Sequence, residues 1–216
     1  MCGLAGVLQS ENWTTDRLAD TTARMTAALA HRGPDDSAVF VDAASGVGLG
    51  FRRLSIIDLS PNGRQPMRSA SGRYTVVFNG EIYNHSELRR ELEVTGVRFR
   101  GHSDTEVMLA AFERWGVETA VQRFVGMFAI VLWDNEQHCL HLMRDRLGIK
   151  PLFVHWQRGR LLFGSELKAL FACPGFDAEI DPAAAAAYLR YLYVPAPQSI
   201  LSGASKLAAG HILTIR

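Results

Sequence analysis

Cys2, followed by a glycine, is the residue with the clearest chemical potential in this sequence. Removal of Met1 ahead of such a small residue would leave Cys2 with a free α-amino group. One residue would then carry both a thiol nucleophile and its own base. An α-amine has an ordinary pKa of about 7.7–8.0, so a useful fraction is neutral near pH 7 without any large shift. Gly3 would let backbone or substrate approach closely. Taken alone, Cys2 reads more simply as a processed cysteine with no role. Other chemical residues carry less. On a strand, Cys139 and His141 share a face while His138 points the other way. A structural zinc site wants four ligands at looser spacing, and no partner cysteine pair is present, so no metal is expected. Cys173 reads as a buried or loop thiol. Gly46, Gly48 and Gly50 alternate without the dinucleotide-binding pattern or its strand-turn-helix context.

The elements that must position these groups follow from hydrophobic spacing. Cys2 to Leu8 is short and apolar, as in a buried strand. Thr15 would cap a helix carrying Leu18, Thr22, Met25 and Leu29, which ends at the His31-Arg32-Gly33-Pro34-Asp35 loop. Strands are predicted at 39–41, 47–57 and 74–78, the last running into Asn79-Gly80, which reads as a tight turn. Helices are predicted at 86–93 and 104–115, the second opened by Ser103 with Glu106 at capping-box spacing. A hairpin over 127–134 and 138–144, strands at 152–156 and 161–163, and helices at 166–171 and 182–191 complete the pattern. Strands dominate the middle and helices flank them, which favours a layered α+β domain over alternating βαβ units.

Composition sets the outer limits. The chain has 216 residues, 48% of them hydrophobic and 21% charged. Lysine plus arginine number 23 against 22 aspartates and glutamates, a net charge of +1. That balance supplies no broad positive field for nucleic acid, and Arg52-Arg53 and Arg89-Arg90 read as solvated pairs. The longest run without a polar residue, Phe124 to Trp133, is about half a bilayer span. Arg17 is the first positive side chain, so the start does not resemble a signal peptide. Three cysteines cannot all pair, and a reducing cytoplasm is the expected compartment. The reading is one domain over 1–216, with a core over about 1–190. The stretch over about 191–216, through Tyr193-Val194-Pro195-Ala196-Pro197, reads as a segment leading toward a further domain, the chain being either an excised domain or a natural short form that works with a partner chain.

Seven strings in order carry a resemblance. They are Met-Cys-Gly-Leu-Ala-Gly-Val (1–7), His-Arg-Gly-Pro-Asp (31–35), Arg-Leu-Ser-Ile-Ile-Asp (53–58) and Phe-Asn-Gly-Glu-Ile-Tyr-Asn-His (78–85). Ser-Asp-Thr-Glu (103–106), Arg-Asp-Arg-Leu-Gly-Ile-Lys-Pro-Leu (144–152) and Ser-Glu-Leu-Lys-Ala-Leu (165–170) follow. Together they resemble the class II glutamine amidotransferases, and within them the glutaminase domain of the asparagine synthetases, over essentially the whole chain.

The resemblance implies a four-layer α/β/β/α sandwich of the N-terminal nucleophile hydrolase type. It implies that Cys2 attacks the side-chain amide of L-glutamine, releasing ammonia and then glutamate. Asn79, through its side chain, and Gly80, through its N–H, match the family's oxyanion hole. Arg53 matches the residue that binds the substrate carboxylate, with Leu54, Ser55, Ile56 and Ile57 offering backbone groups beside it. Asp104 matches the acid that receives the α-ammonium, with Glu81 next to it, and Arg32 helps to order the pocket. No cofactor is implied for this domain. ATP and magnesium are expected only in a synthetase domain, supplied in cis or in trans. That domain's Ser-Gly-Gly-x-Asp-Ser loop has no counterpart here, since Leu201 to Ser205 lacks the second glycine and the aspartate. No nucleic acid or membrane is expected as a partner, and a homodimer is. The alternative is a catalytically silent regulatory or interaction module that keeps the fold. The ammonia acceptor is not encoded in this stretch.

Overall fold

The computed structural model describes residues 1–11, 13–56 and 58–216. The chain folds into two antiparallel sheets stacked between helices. The elements of the first half are β1 (Gly3–Gln9), α1 (Thr15–Ala27), β2 (Asp36–Asp42), β3 (Val47–Arg53), β4 (Met67–Arg68), β5 (Tyr74–Ile82), α2 (His85–Val94), α3 (Asp104–Trp115) and α4 (Val117–Arg123). The second half adds β6 (Gly126–Asp134), β7 (Cys139–Arg144), β8 (Phe153–Gln157), β9 (Arg160–Gly164), α5 (Leu167–Phe171), α6 (Pro182–Tyr191), β10 (Ala204–Lys206) and β11 (Ile212–Ile215). The first sheet has strand order β10-β8-β9-β1-β3-β2 and the second β11-β7-β6-β5-β4.

Strand alternation creates the layers. Along β1, Leu4 and Leu8 face the second sheet, packing with Val77, Val131 and Trp133, while Ala5 and Val7 face α1 and α5 with Leu18, Met25 and Leu170. Along β5, Val77 joins the layer between the sheets, while Val76, Phe78 and Ile82 pack on α2 and α3 through Leu88, Met108 and Phe112. A period of two on each strand thus fills three apolar layers and produces the α/β/β/α order. The alternating glycines of β3 have a packing reason. A Cβ on Gly48 would lie 2.1 Å from Thr22 Oγ1 and one on Gly50 1.8 Å from Thr26 Oγ1, so α1 rests directly on the strand backbone.

Several boundaries differ from expectation. The cap of α1 is Thr14, whose hydroxyl accepts from the Arg17 N–H. Ser103 caps α3 as predicted, accepting from the Glu106 N–H at 3.2 Å. Glu106 does not close the box, however; its carboxylate takes the N–H groups of Arg100 and Gly101, at 2.8 and 2.9 Å. Helix α4 was not expected, being only seven residues long. The stretch after 191 supplies edge strands to both sheets, β10 on β8 and β11 on β7.

The largest correction concerns Asn79-Gly80. These residues are not a turn but the interior of β5, opposite Ala129 and Phe128 of β6. The sequence pattern misleads because Gly80 is required for a close approach and not for a bend. A Cβ there would meet the Met127 carbonyl oxygen at 2.2 Å.

Candidate active site

One end of the sandwich holds a cavity of about 160 Å³, lined from both sheets and from the start of α3. Cys2 sits at its rim, just ahead of β1, half-buried between the sheets. Its sulfur is held by one residue of the segment after β3: the Leu54 N–H lies 3.4 Å from Sγ, and the thiol donates to the Leu54 carbonyl at 3.5 Å. Burial pushes the Cys2 thiol above its ordinary value, opposed by the Leu54 N–H, the chain's terminal ammonium and the charges of Arg53 and Lys150. Without substrate the sulfur therefore rests as a thiol, with cations nearby that favour the thiolate.

The backbone of Cys2 is fixed from behind. Arg32 Nε donates to the Cys2 carbonyl at 2.9 Å and Nη1 to Glu166 Oε1 at 2.7 Å. Glu166 also receives His31 Nε2 at 3.0 Å and Lys168 Nζ at 3.1 Å. Burial opposes ionisation of Glu166, but these three bases outweigh it and hold its carboxyl at about 2. A largely buried guanidinium thus clamps the carbonyl of Cys2.

Arg53 closes β3. It is not a solvated residue, being 8% exposed. Its guanidinium donates to the carbonyl of Ser60, at 3.2 Å, and to that of Asp58. The Asp58 carboxylate in turn accepts from the N–H groups of Ser60 and His102, at 2.8 and 3.1 Å. Hydrogen bonds from Ser60 first, then from His102, keep the Asp58 carboxyl below its usual range. Asp35 of the 31–35 loop ties down the neighbouring segment by accepting from the Ser55 N–H at 2.8 Å. These long-range tethers explain why β3 stops at Arg53 while the apolar pattern runs four residues further. Leu54 and Ile56 line the cavity, whereas Ser55 is turned to Asp35. Ile57 lies outside the described residues.

The opposite wall is built by β5. Alternate residues of an antiparallel strand direct their N–H groups to the same edge. The Phe78 N–H goes to Gln65 Oε1 at 2.6 Å and the Ile82 N–H to Asp104 Oδ2 at 3.0 Å. The N–H of Gly80, midway between them, is directed to that same edge. On the β6 side, Phe128 is already engaged with Asp145 through both its N–H and its carbonyl. Asn79 shares a face with Val77 and so projects between the sheets, into the layer where Cys2 packs. Its Nδ2 is buried and has no hydrogen-bond partner among the described residues. Other buried side-chain atoms without partners belong to Gln9, Trp133, His155 and Gln157, none of which lines this cavity. An orphaned amide donor costs stability, and here it borders the space beside a cysteine.

Asp104, the first residue of α3, is 5% exposed. Burial pushes its carboxyl above the ordinary value, with Glu81 adding to the rise and the N–H groups of Ile82 and Thr105 and the nearby His85 opposing it. Its own surroundings do not fully neutralise it, so an added cation would be welcome. The cavity thus has the cations Arg53 and Lys150 on the Cys2 side, with Asp58 beside Arg53, and the acids Asp104 and Glu81 on the other.

The family follows from the sequence as a whole. A family model for the glutamine amidotransferase domain matches residues 1–216. The chain belongs to that family. It is 40% identical over 218 residues to asparagine synthetase (glutamine-hydrolyzing) 1 of Bacillus subtilis, an alignment covering 100% of this chain and 34% of that protein. It is 44% identical over 209 residues to a putative asparagine synthetase (glutamine-hydrolyzing) of Mycobacterium tuberculosis, covering 92% of this chain and 32% of that one. The chain therefore spans about a third of the length of these relatives. Among solved structures, a glutamine phosphoribosylpyrophosphate amidotransferase from B. subtilis superposes with a TM-score of 0.66 at 20% identity, covering 84% of this chain and 46% of that one. The shared fold is the four-layer α/β/β/α sandwich.

Of the residues expected at the site of this amidotransferase domain, Cys2, Arg53, Leu54, Ile56, Asn79, Gly80, Glu81 and Asp104 line one cavity. Sequence reasoning missed Gln65, Asp145 and Lys150. Gln65 grips β5 and also donates to Thr105 Oγ1 at 3.3 Å, joining strand to helix. Asp145 and Lys150 lay inside a recognised string, yet nothing in their spacing announced a role. Among the described residues, no group of three or more His, Cys, Asp or Glu is placed to hold a metal ion. His141 instead pairs with Thr214 and His138 with Ser45.

Proposed function

We propose that this domain hydrolyses the side-chain amide of L-glutamine to glutamate and ammonia, with Cys2 as nucleophile once Met1 is removed. The observation that carries the reading is the buried, unpartnered Asn79 Nδ2 in the same small cavity as the Cys2 sulfur. The α-amine takes the thiol proton as sulfur bonds to the amide carbon, and the C=O electron pair moves onto oxygen. The Asn79 amide and the Gly80 N–H are suited to receive that oxyanion, because both donors are fixed by β5 before any charge develops. Collapse expels ammonia, which leaves with the proton held by the amine, and forms a thioester that water cleaves to glutamate and free Cys2. Arg53 would take the substrate α-carboxylate through guanidinium donors beyond the two that hold the 58–60 loop. Leu54 and Ile56 would flank it, while Asp104 and Glu81 take the α-ammonium.

The ammonia would serve an ATP-dependent amidation of the asparagine synthetase type, carried out by a synthetase portion in cis or in trans. ATP and magnesium belong to that portion in this reading. The residues present do not fit a pyrophosphate loop: Leu201 forms an isolated bridge with Ile180, and Ala204 to Lys206 is strand β10, so no helix N-terminus follows Ser202.

The test is glutamate release from L-glutamine by protein whose N-terminus mass spectrometry shows to be Cys2. Turnover that disappears in Cys2→Ala, with the thermal unfolding midpoint unchanged, is the expected result. Comparable turnover in Cys2→Ala would remove Cys2 as nucleophile. Glutamine binding without turnover by the processed protein would instead establish a silent regulatory module.

A further inference from the structure

Lys150 lines the cavity, and neither composition nor family resemblance gives it a task. It is 5% exposed, and among the described residues no carboxylate lies within 4 Å of its ammonium. Among those residues the ammonium's one hydrogen-bond partner is the Met1 thioether, 3.5 Å from Nζ. A thioether is a weak acceptor and compensates little for burying a charge. The lysine is nonetheless held firmly in place. Its N–H donates to Asp145 Oδ2 at 3.0 Å, and its carbonyl accepts from Arg144 Nε at 2.8 Å. Arg144 is itself anchored on the carbonyls of Gly148 and Leu207, each at 2.7 Å. The fold thus spends a rigid loop on presenting an unpaired ammonium to residue 1.

We propose that Lys150 is a positioning residue for the reaction, whose ammonium keeps the α-amino group of processed Cys2 in its neutral, proton-accepting form. The inference rests on the reading of Cys2 as an N-terminal nucleophile. Met1 is bonded to the Cys2 nitrogen and its side chain reaches Nζ, so loss of Met1 opens a space with the new α-nitrogen at one side and the lysine at the other. A second cation beside an amine disfavours its protonated form, more strongly in a partly buried site than in water. The other charges bordering the space do not substitute for Lys150. Arg32 Nη2 also reaches the Met1 sulfur, at 4.0 Å, but its charge is offset by the ion pair with Glu166 at 2.7 Å, and Arg53 is engaged by the 58–60 carbonyls beside the Asp58 carboxylate. Asp104 and Glu81, on the far wall, act in the opposite sense and favour the ammonium. The Cys2 thiol, neutral at rest, adds no charge of its own.

The test uses three proteins released by cleavage of a leader immediately before Cys2: the parent, Lys150→Met and Lys150→Arg. The α-amine is titrated by the pH dependence of its acylation with acetic anhydride, followed by mass spectrometry, with Cys2→Ser added to each protein for this titration so that acyl transfer from the thiol does not contribute, and each fold is checked by thermal unfolding. The K150M midpoint is expected about one pH unit above that of the parent, with K150R restoring the parent value. The acid limb of kcat/KM for glutamine should move in the same direction by the same amount. Coincident midpoints in the parent and K150M would overturn the proposal, as would a shift that K150R does not reverse, since the argument invokes charge and not shape. Because the titration needs no turnover, it judges Lys150 even if glutamine hydrolysis fails in the parent, which would sink the glutaminase reading separately.

Discussion

Two buried aspartates stand on either side of β5 and β6 and are treated in opposite ways. Asp145, 1% exposed, spends its whole carboxylate on backbone. Oδ1 accepts from the N–H groups of Leu147 and Ile149, and Oδ2 from those of Phe128 and Lys150, at 2.9–3.2 Å. Asp104 receives the Ile82 N–H on Oδ2, is bonded by the Thr105 N–H, and borders an open cavity. A carboxylate that satisfies four backbone donors is an organising strut, and its loop geometry depends on it. One that is desolvated but under-partnered is held at a cost, and that cost is recovered only when a cation arrives. Burial and residue type are the same at both places; the number of fixed donors separates scaffold from site.

The comparison can be broken most directly at Asp145. Asp145→Ala should lower folding stability by about 3 kcal/mol or more, because it strands buried N–H groups with no alternative acceptor. Urea unfolding would show it, and a change below about 1 kcal/mol would mean that water replaces the carboxylate and the strut is dispensable.

Asn79 tests the same logic with a donor. Asn79→Ala removes a group that has no partner in the free protein, so stability should hold or rise. Turnover should fall by about 10²–10³, mostly in kcat. A loss confined to KM would assign Asn79 to substrate holding alone.

The mildest change is Asp104→Asn, which keeps an acceptor for the Ile82 N–H. It should raise KM for glutamine by about tenfold or more while leaving kcat within a few-fold. It also carries a pH signature. Because burial raises the Asp104 carboxyl in the folded state, the native protein binds its proton more tightly than the unfolded chain. Stability contributed by the protonated form is therefore lost as pH rises from the ordinary carboxylate value through the raised one. Chemical unfolding across that range should show a decline in the parent that Asp104→Asn lacks. Identical profiles would mean that Asp104 is compensated within the fold, as Asp145 is.

Much of this was legible in the residues. The alternation of β1 and β5, the Ser103 cap and the Pro182–Tyr191 helix are local consequences of side-chain spacing and capping, so they emerge from short windows. The ordered strings that carry the resemblance also named eight residues that line one cavity. Other features were not legible, because they depend on partners far apart in the chain. Arg53 looked like half of a solvated pair until the 58–60 loop folded over it. Asn79-Gly80 looked like a turn until β6 was laid beside it.

The sequence by itself determined which residue types were present, their order, and the layered class into which their periodicity drives them. Tertiary structure alone decided which polar atoms would be left without partners. Leu54 meets Cys2 across 52 positions, Ser165 meets Leu4 across 161, and Lys150 meets Met1 across 149. Satisfaction of a hydrogen bond is a property of a pair, and these pairs exist only once the two sheets have closed. The orphaned amide of Asn79, the under-partnered carboxylate of Asp104 and the unpaired ammonium of Lys150 are therefore written in the packing and not in any stretch of chain.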